Sequence, residues 1–350
     1  MNLTGEDRLS RSRADRTGVL KRVVLAFSLF AGRALVTIGA VVLLSFVISR
    51  LIGDPVAQFI SADSTKSKEE SIRAELGLND TVFEQFASYA GSVFKGNWGV
   101  SYQTGQPVLE MLLTRLPATL ELAFLAVAFG WSVSLLALYL DGRSRGGTLY
   151  ARAIANVGLF VPTFVIGLVL MVVFSVWLGW TPVFGQGELV EFGWYSSSLL
   201  CVAGIKALIL PTMTLGLFYA AQLFRIMEAA KGQIKTQLFY SFSCSLGIRD
   251  SRLYWKVLLP KVVVSVLPVS LIEFGGLIAF SVVTEAVFQW PGLGSLILRA
   301  LLLVDVPVIA GFLLVTAGLF VILSGLSNLL SSLLDVRTGP SSLLGKGVGV

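Results

Sequence analysis

Residues 262–287 read VVVSVLPVSLIEFGGLIAFSVVTEAV, and this run decides the fold. A helix needs about 20 mainly apolar residues to cross roughly 30 Å of hydrocarbon, and the run supplies them. Pro268, Gly275 and Gly276 do not disqualify it, because neighbouring helices can satisfy the backbone groups that such residues free. Near its middle stands Glu273, in the sequence LIEFGGLIAF. An acid at the bilayer centre costs at least ~2.5–3.5 kcal/mol on insertion scales, so it should face a cavity, a partner or a proton. Gly275 and Gly276 beside it would let a second helix approach closely or expose backbone to a passage. Two readings of Glu273 stand together. One is a lining residue of a translocation path with Gly275 and Gly276. The other is a protonated carboxyl bonded to a neighbouring helix through Asn156 or Gln222.

Working outward, five more runs are long and apolar enough to span: 34–52, 118–140, 154–178, 208–227 and 308–334. The fourth span in chain order, 208–227, carries Pro211 near its start. Six helices fit the bulk numbers. The chain has 350 residues, 55% hydrophobic and 14% charged, where a soluble domain carries about 25% charged residues. Its mean hydropathy is +0.81. The chain contains no histidine, which excludes imidazole relays, histidine-activated nucleophiles and HExxH zinc chemistry. Cys201 and Cys244 fall on opposite membrane sides in this topology, so they should not pair, and two thiols make no metal site. The net charge of +6 orients helices rather than binding nucleic acid, since no basic run is interleaved with aromatics.

The basic residues set the orientation. Arg8, Arg11, Arg13, Arg16, Lys21, Arg22 and Arg33 precede the first span; Arg143, Arg145 and Arg152 follow the second; Lys231, Lys235, Arg249, Arg252, Lys256 and Lys261 flank the fourth loop. By contrast, residues 54–115 carry five basic against eight acidic residues. Both termini in the cytosol satisfy every loop. Residues 1–22 read as a cytosolic tail and 23–32 as an interfacial segment. Outside, Val82, Phe83, Phe86, Ala90, Val93 and Phe94 recur at helical spacing, which predicts an amphipathic helix. Phe288, Trp290 and Leu293, interleaved with Pro291, Gly292 and Gly294, predict a turn buried against the outer end of the bundle. Glu121 is expected at the interface, and Arg225 with Glu228, three residues apart, as an ion pair.

The cytosolic loop before the opening run is longer than the 2–8 residues usual between bundle helices. It reads YSFSCSLGIRDSRLYWKVLLP over residues 240–260. Phe239, Phe242 and Leu246 on one side of Gly247, and Leu253, Val257 and Leu258 on the other, predict two short helices meeting at a sharp turn. A plain solvated connector would not keep Phe242, Tyr254 and Trp255 near water.

The spacing of Gly247 and Val257-x-Leu259-Pro260 resembles the permease signature of bacterial ATP-binding-cassette importers: Glu-Ala-Ala, three residues, Gly, nine residues, Ile-x-Leu-Pro. Ser241-Phe242-Ser243 stands where that signature has Glu-Ala-Ala. Further stretches are similar to the oligopeptide, dipeptide and nickel branch. They are Gly53-Asp54-Pro55, Leu76-Gly77-Leu78, Gly96-Asn97-Trp98-Gly99, Leu116-Pro117-Ala118-Thr119-Leu120-Glu121, Leu178-Gly179-Trp180-Thr181-Pro182 and Thr284-Glu285-Ala286-Val287-Phe288-Gln289-Trp290-Pro291-Gly292-Leu293-Gly294. Leu334-Asp335-Val336-Arg337 ends the match.

The resemblance implies an all-α integral membrane protein of type I importer architecture: six transmembrane helices and an extracytoplasmic amphipathic helix. The tail and interfacial segment would occupy 1–30, the first span and extracytoplasmic region 31–113, the permease core 114–335 and a cytosolic tail 336–350. It also implies an ATPase-coupling loop in which Ser241, Phe242, Ser243, Leu246, Gly247, Ile248, Arg249 and Pro260 take part. The implied partners are a second homologous permease, two ATPase subunits, an extracytoplasmic substrate-binding protein and the lipid bilayer of the bacterial inner membrane. No Gly-x-x-x-x-Gly-Lys-Ser/Thr motif occurs, so ATP and Mg are expected on the partner subunits, with no cofactor on this chain. Peptides are the expected cargo. A nickel or metal-chelate importer of the same branch, another small-solute importer, and an ATPase-independent secondary transporter are the alternatives.

Overall fold

The computed structural model describes residues 28, 30–51, 80–143, 161–187, 190–192, 195–248 and 250–334. The expectations for the N-terminal tail, Gly53-Asp54-Pro55, Leu76-Gly77-Leu78, Arg145, Arg152, Asn156, Arg249 and the C-terminal tail fall outside those residues, as does the start of the span at 154–178.

Among the described residues, five helices are long and apolar enough to cross a membrane: α1 (Phe30–Leu51), α3 (Val108–Arg143), α5 (Val202–Lys235), α7 (Ser251–Phe288) and α9 (Val306–Leu334). Between them lie α2 (Val82–Phe94), α4 (Thr163–Leu170, continued as a π-helix over Met171–Trp177), α6 (Leu238–Ser245) and α8 (Leu293–Leu302). The span expected at 154–178 is described from residue 161 on, as α4. A two-stranded antiparallel hairpin, Val190–Phe192 with Tyr195–Ser197, is an addition to the all-α pattern.

α5 is the central helix, and it runs unbroken through Pro211. Its contact with α3 is made by small residues. A β-carbon on Gly130 would come within 2.5 Å of the Tyr219 ring, and one on Gly216 within 2.7 Å of the Phe129 ring. Without a hydrophobic drive between helices in lipid, such close backbone approach is what holds them. Leu122, Ala126, Leu215, Tyr219, Leu223 and Met227 fill the seam, and all are buried.

α3 starts earlier than the apolar run predicts. Val108 and Leu112 pack beneath Gly311 of α9, and this contact extends the helix beyond the hydrophobic window. α2 is amphipathic as the spacing predicts. Thr81 and Glu84 form a capping box at its start. Its Phe86 and Tyr89 rings lie 5.5 and 5.8 Å from Phe46 of α1. The exposed apolar side chains on the outer faces of α1, α3 and α9, among them Leu35, Phe124, Leu136, Ile322 and Leu333, match a hydrocarbon solvent.

Candidate functional site

At one end of the bundle, α6 hangs between the C-terminus of α5 and the N-terminus of α7. Phe239 turns inward, where its ring receives the Lys261 ammonium 3.3 Å from the ring centroid. Leu238, Phe242 and Leu246, at successive steps of four, form an outward stripe that is 90%, 65% and 63% exposed. Ser241 is exposed and Ser243 partly buried, its hydroxyl donating to the Phe239 carbonyl oxygen at 2.7 Å. The helix then stops at Gly247, whose φ of +70° is the left-handed value glycine accepts without strain. Ile248 follows on the surface.

The second short helix predicted after Gly247 is not a separate element. Asp250–Leu253 leads through a π-helical stretch, Tyr254–Leu258, into the long helix, with Pro260 exposed in its first α-helical turn. Burial explains the continuity: Leu253 and Leu258 are 0% and 1% exposed, so their faces belong to the bundle core rather than to a free turn.

A polar cluster pins both arms of α6 to α3. Lys231 Nζ of α5 donates to Asp141 Oδ2 at 2.7 Å and to Glu228 Oε1 at 3.3 Å. Tyr254 OH donates to the Leu138 carbonyl oxygen at 2.6 Å, with Asp141 Oδ2 3.3 Å away. The expected Arg225–Glu228 pair is thus superseded: Glu228 meets Lys231, and Arg225 is exposed.

Midway along α7, Glu273 is partly buried, and no hydrogen bond between it and Gln222 occurs among the described residues. Gly275 lies against α9, where an added β-carbon would sit 3.2 Å from Phe320 and 3.3 Å from Leu323. Gly276 faces open space. The two glycines therefore do different things, one making a helix contact and the other leaving a gap.

The opposite end is closed by the turn after α7. Gln289 takes a left-handed φ of +51°, and Trp290 is fully buried with its Nε1 donating to the Ala118 carbonyl oxygen at 3.0 Å. Beneath it the Glu285 carboxyl accepts from Thr119 Oγ1 at 2.8 Å, Ser281 Oγ at 2.9 Å and Ser295 N at 3.0 Å. A β-carbon on Gly292 would overlap both that carboxyl and the Thr119 hydroxyl, which explains the glycine. Asp305, also buried, accepts from Ser101 Oγ at 2.5 Å and from Tyr102 N at 3.1 Å, tying the segment before α3 to the α8–α9 turn. Glu121, expected at the interface, is instead 7% exposed and accepts from Leu199 N at 3.1 Å. The short loop after the hairpin folds over it. Cys201 and Cys244 form no disulfide: Cys201 sits at the start of α5 and Cys244 on α6.

Residues 134–339 match the family described as binding-protein-dependent transport system inner membrane component, and residues 20–123 match its N-terminal counterpart. The chain belongs to this family. It is 33% identical, over 83% of its length and 92% of the relative's, to a probable peptide ABC transporter permease of Sinorhizobium fredii. It is 30% identical, over 87% of its length and 96% of the relative's, to the di/tripeptide transport system permease DppB of Pseudomonas aeruginosa. Among solved structures, the MetNI methionine ABC transporter in an inward-facing conformation aligns with a TM-score of 0.48 and 20% identity, covering 64% of this chain and 96% of that one.

As a transport-system membrane component, this permease is a multi-pass inner-membrane protein, and its family works with ATPase and substrate-binding partners. Its sequence marks α6, Gly247 and the outer turn by composition. It did not show that Lys231 and Tyr254 meet Asp141, since all three lie beyond the ends of the apolar windows and the contacts span 90 and 113 residues of chain. Glu285 was visible only as part of a motif. An acid inside an apolar run, a few residues before a Pro-Gly-x-Gly turn, was the available signal.

Proposed function

We propose that this permease is one of two homologous membrane subunits of an ATP-driven peptide importer. Two ATPase subunits, which carry the ATP and Mg, dock on α6 and the Gly247 turn, and an extracytoplasmic binding protein delivers peptide at the Trp290 end. In this arrangement both termini and α6 are cytosolic. ATPase closure displaces α6, and the helices it joins open the passage alternately to each side, with Glu273 and Gly276 facing it and Gly275 holding α7 to α9 beside it. Ser241, Phe242, Ser243, Leu246, Ile248, Arg249 and Pro260 belong to the docking segment.

The observation that carries this reading is the outward stripe Leu238, Phe242 and Leu246. Burying such side chains is worth about 1.5–3 kcal/mol each, a gain this chain leaves unclaimed on α6. The peptide assignment is supported by the names of the relatives above.

The native thiol of Cys244, exposed on α6, supplies the test. In inside-out vesicles of the Cys201→Ser variant it should react with a membrane-impermeant maleimide after the ATPases are stripped, and be protected when they are restored. A heterobifunctional reagent anchored there should capture an ATPase. Labelling from the outer side, or labelling indifferent to the ATPase, refutes the docking. Cells lacking the chain should lose uptake of labelled trialanine, and undiminished uptake argues against the peptide assignment.

A further inference from the structure

The cluster of Asp141, Lys231 and Tyr254 is not accounted for by docking. α6 is suspended by two arms, and each contributes one member: Lys231 lies one turn before the end of α5, and Tyr254 opens the π-helical stretch of α7. Both converge on the last turns of α3, through the Asp141 carboxylate and the Leu138 carbonyl. The ion pair is largely buried, its side chains 11% and 8% exposed. Removing two charges from water is a poor way to gain stability, since apolar residues of similar volume commonly do as well. What an ion pair does provide is fixed geometry between the groups it joins. π-helical stretches likewise gather at functional positions, because the added residue re-aims side chains. Here the stretch begins at the residue that reaches α3. A second tie accompanies the first: the Trp255 ring lies 5.0 Å from that of Tyr139 on α3.

We infer that Asp141, Lys231 and Tyr254 are positioning residues that join both arms of α6 to the end of α3 as one lever, so that displacement of α6 reaches α3 instead of being absorbed at the Gly247 turn. This rests on the docking of an ATPase on α6 proposed above. In the absence of the cluster, α6 has a hinge on either side and its movement dissipates locally. With it, α3, α5 and the start of α7 move as a unit.

The test uses the full importer purified with its ATPases, in a background carrying Cys201→Ser and Cys244→Ser. Spin labels are placed at Leu140→Cys on α3 and Gln237→Cys at the start of α6, both exposed positions. Pulsed electron paramagnetic resonance gives the distance between them without nucleotide and with ATP and vanadate. With the native cluster the distance should stay within about 2 Å between the two states, the scale of a helix shift at an interface. In Lys231→Met and in the milder Tyr254→Phe it should change by more than that on trapping, or broaden, and Lys231→Arg should restore it. A native distance that itself changes beyond that range, or variants indistinguishable from the native cluster, overturns the inference. If no ATPase purifies with the tagged chain, the docking proposal falls and this inference with it. If an ATPase purifies and α6 moves independently of α3, the inference alone falls.

Discussion

Glu285→Ala is the sharpest test of how the outer end is held. The substitution removes the acceptor for three donors: Thr119 Oγ1, Ser281 Oγ and Ser295 N. The three do not suffer equally. The Ser281 hydroxyl already lies 2.8 Å from the Ile278 carbonyl oxygen and turns to it. Thr119 Oγ1 still accepts from Leu293 N at 2.7 Å but loses the partner for its own proton. The amide of Ser295 is stranded outright. A buried donor left unmet costs about 1–3 kcal/mol, so the two losses come to roughly 2–6 kcal/mol. The void left by the shortened side chain adds about 1 kcal/mol or more, because Gly292 and Gly294 have no side chains to collapse into it. Glu285→Gln should cost much less, about 1–2 kcal/mol, since its carbonyl oxygen can keep the Ser295 amide while its NH2 turns to the hydroxyls. The measurement is the temperature at which the solubilised, tagged chain loses its monodisperse chromatographic peak. The alanine variant should fall far below the wild type and the glutamine variant only slightly. Thr119→Val combined with Glu285→Ala should fall less than the sum of the two, because they share one bond. An alanine variant that melts with the wild type refutes the argument.

Gly247→Val places a β-branched residue at a φ of +70°, which costs about 1–2 kcal/mol of local backbone strain, and recovery of ATPase on the tagged chain should drop by about tenfold. Equal recovery refutes the role of the turn. Gly130→Val drives a side chain into Tyr219 and the backbone of α5 and should abolish accumulation of inserted protein. Gly39→Val, on a part of α1 with nothing within 4 Å, should leave accumulation unchanged. The Glu84 carboxyl lies below its ordinary range because the Thr81 hydroxyl and amide bond to it. A group lowered in the folded state stabilises above its unfolded value of 4.5 and loses that contribution as the pH falls through the folded value. Amide protection at the start of α2, measured relative to the intrinsic exchange rate at each pH, should therefore fall between about pH 5 and pH 3, and Glu84→Gln should remove the fall.

Where the sequence reads well, one physical requirement dominates. Spans are legible because lipid demands long unbroken apolar helices, and α2 because one face must be buried while the other meets water. Gly247 and the Trp290 turn are legible because backbone that cannot be helical advertises itself with glycine and proline. The contacts that fix the ends are made between distant parts of the chain, and composition carries no trace of them. Val108 is helical because of Gly311, Glu121 is buried because a loop after the hairpin covers it, and Leu253 belongs to α7 because the core takes its side chain. Pro211 shows the opposite failure. Its local cost is real, but α5 is enclosed by neighbours, and packing keeps it helical through a residue that would break an isolated helix.

The polar contacts divide the bundle by how its parts can move. α3 carries Thr119 toward one end and Asp141 at the other, and α7 carries Glu285 and Tyr254 at the matching levels. Between those levels the two helices touch through apolar groups, such as the Phe124 and Phe274 rings 4.9 Å apart. Apolar contacts slide at little cost because dispersion has no preferred direction, whereas directional bonds away from water do not. Shear between α3 and α7 would break a carboxyl cluster at each end, so sliding of one along the other is costly. α4 differs. Among the described residues it meets α5 and α7 through apolar packing, Gly167 against Phe288 and Thr214 and Met171 in a cluster with Leu210 and Phe288. On the alternating-access reading proposed above, a passage is opened most cheaply along α4, with the block of α3, α5 and α7 turning as one against it.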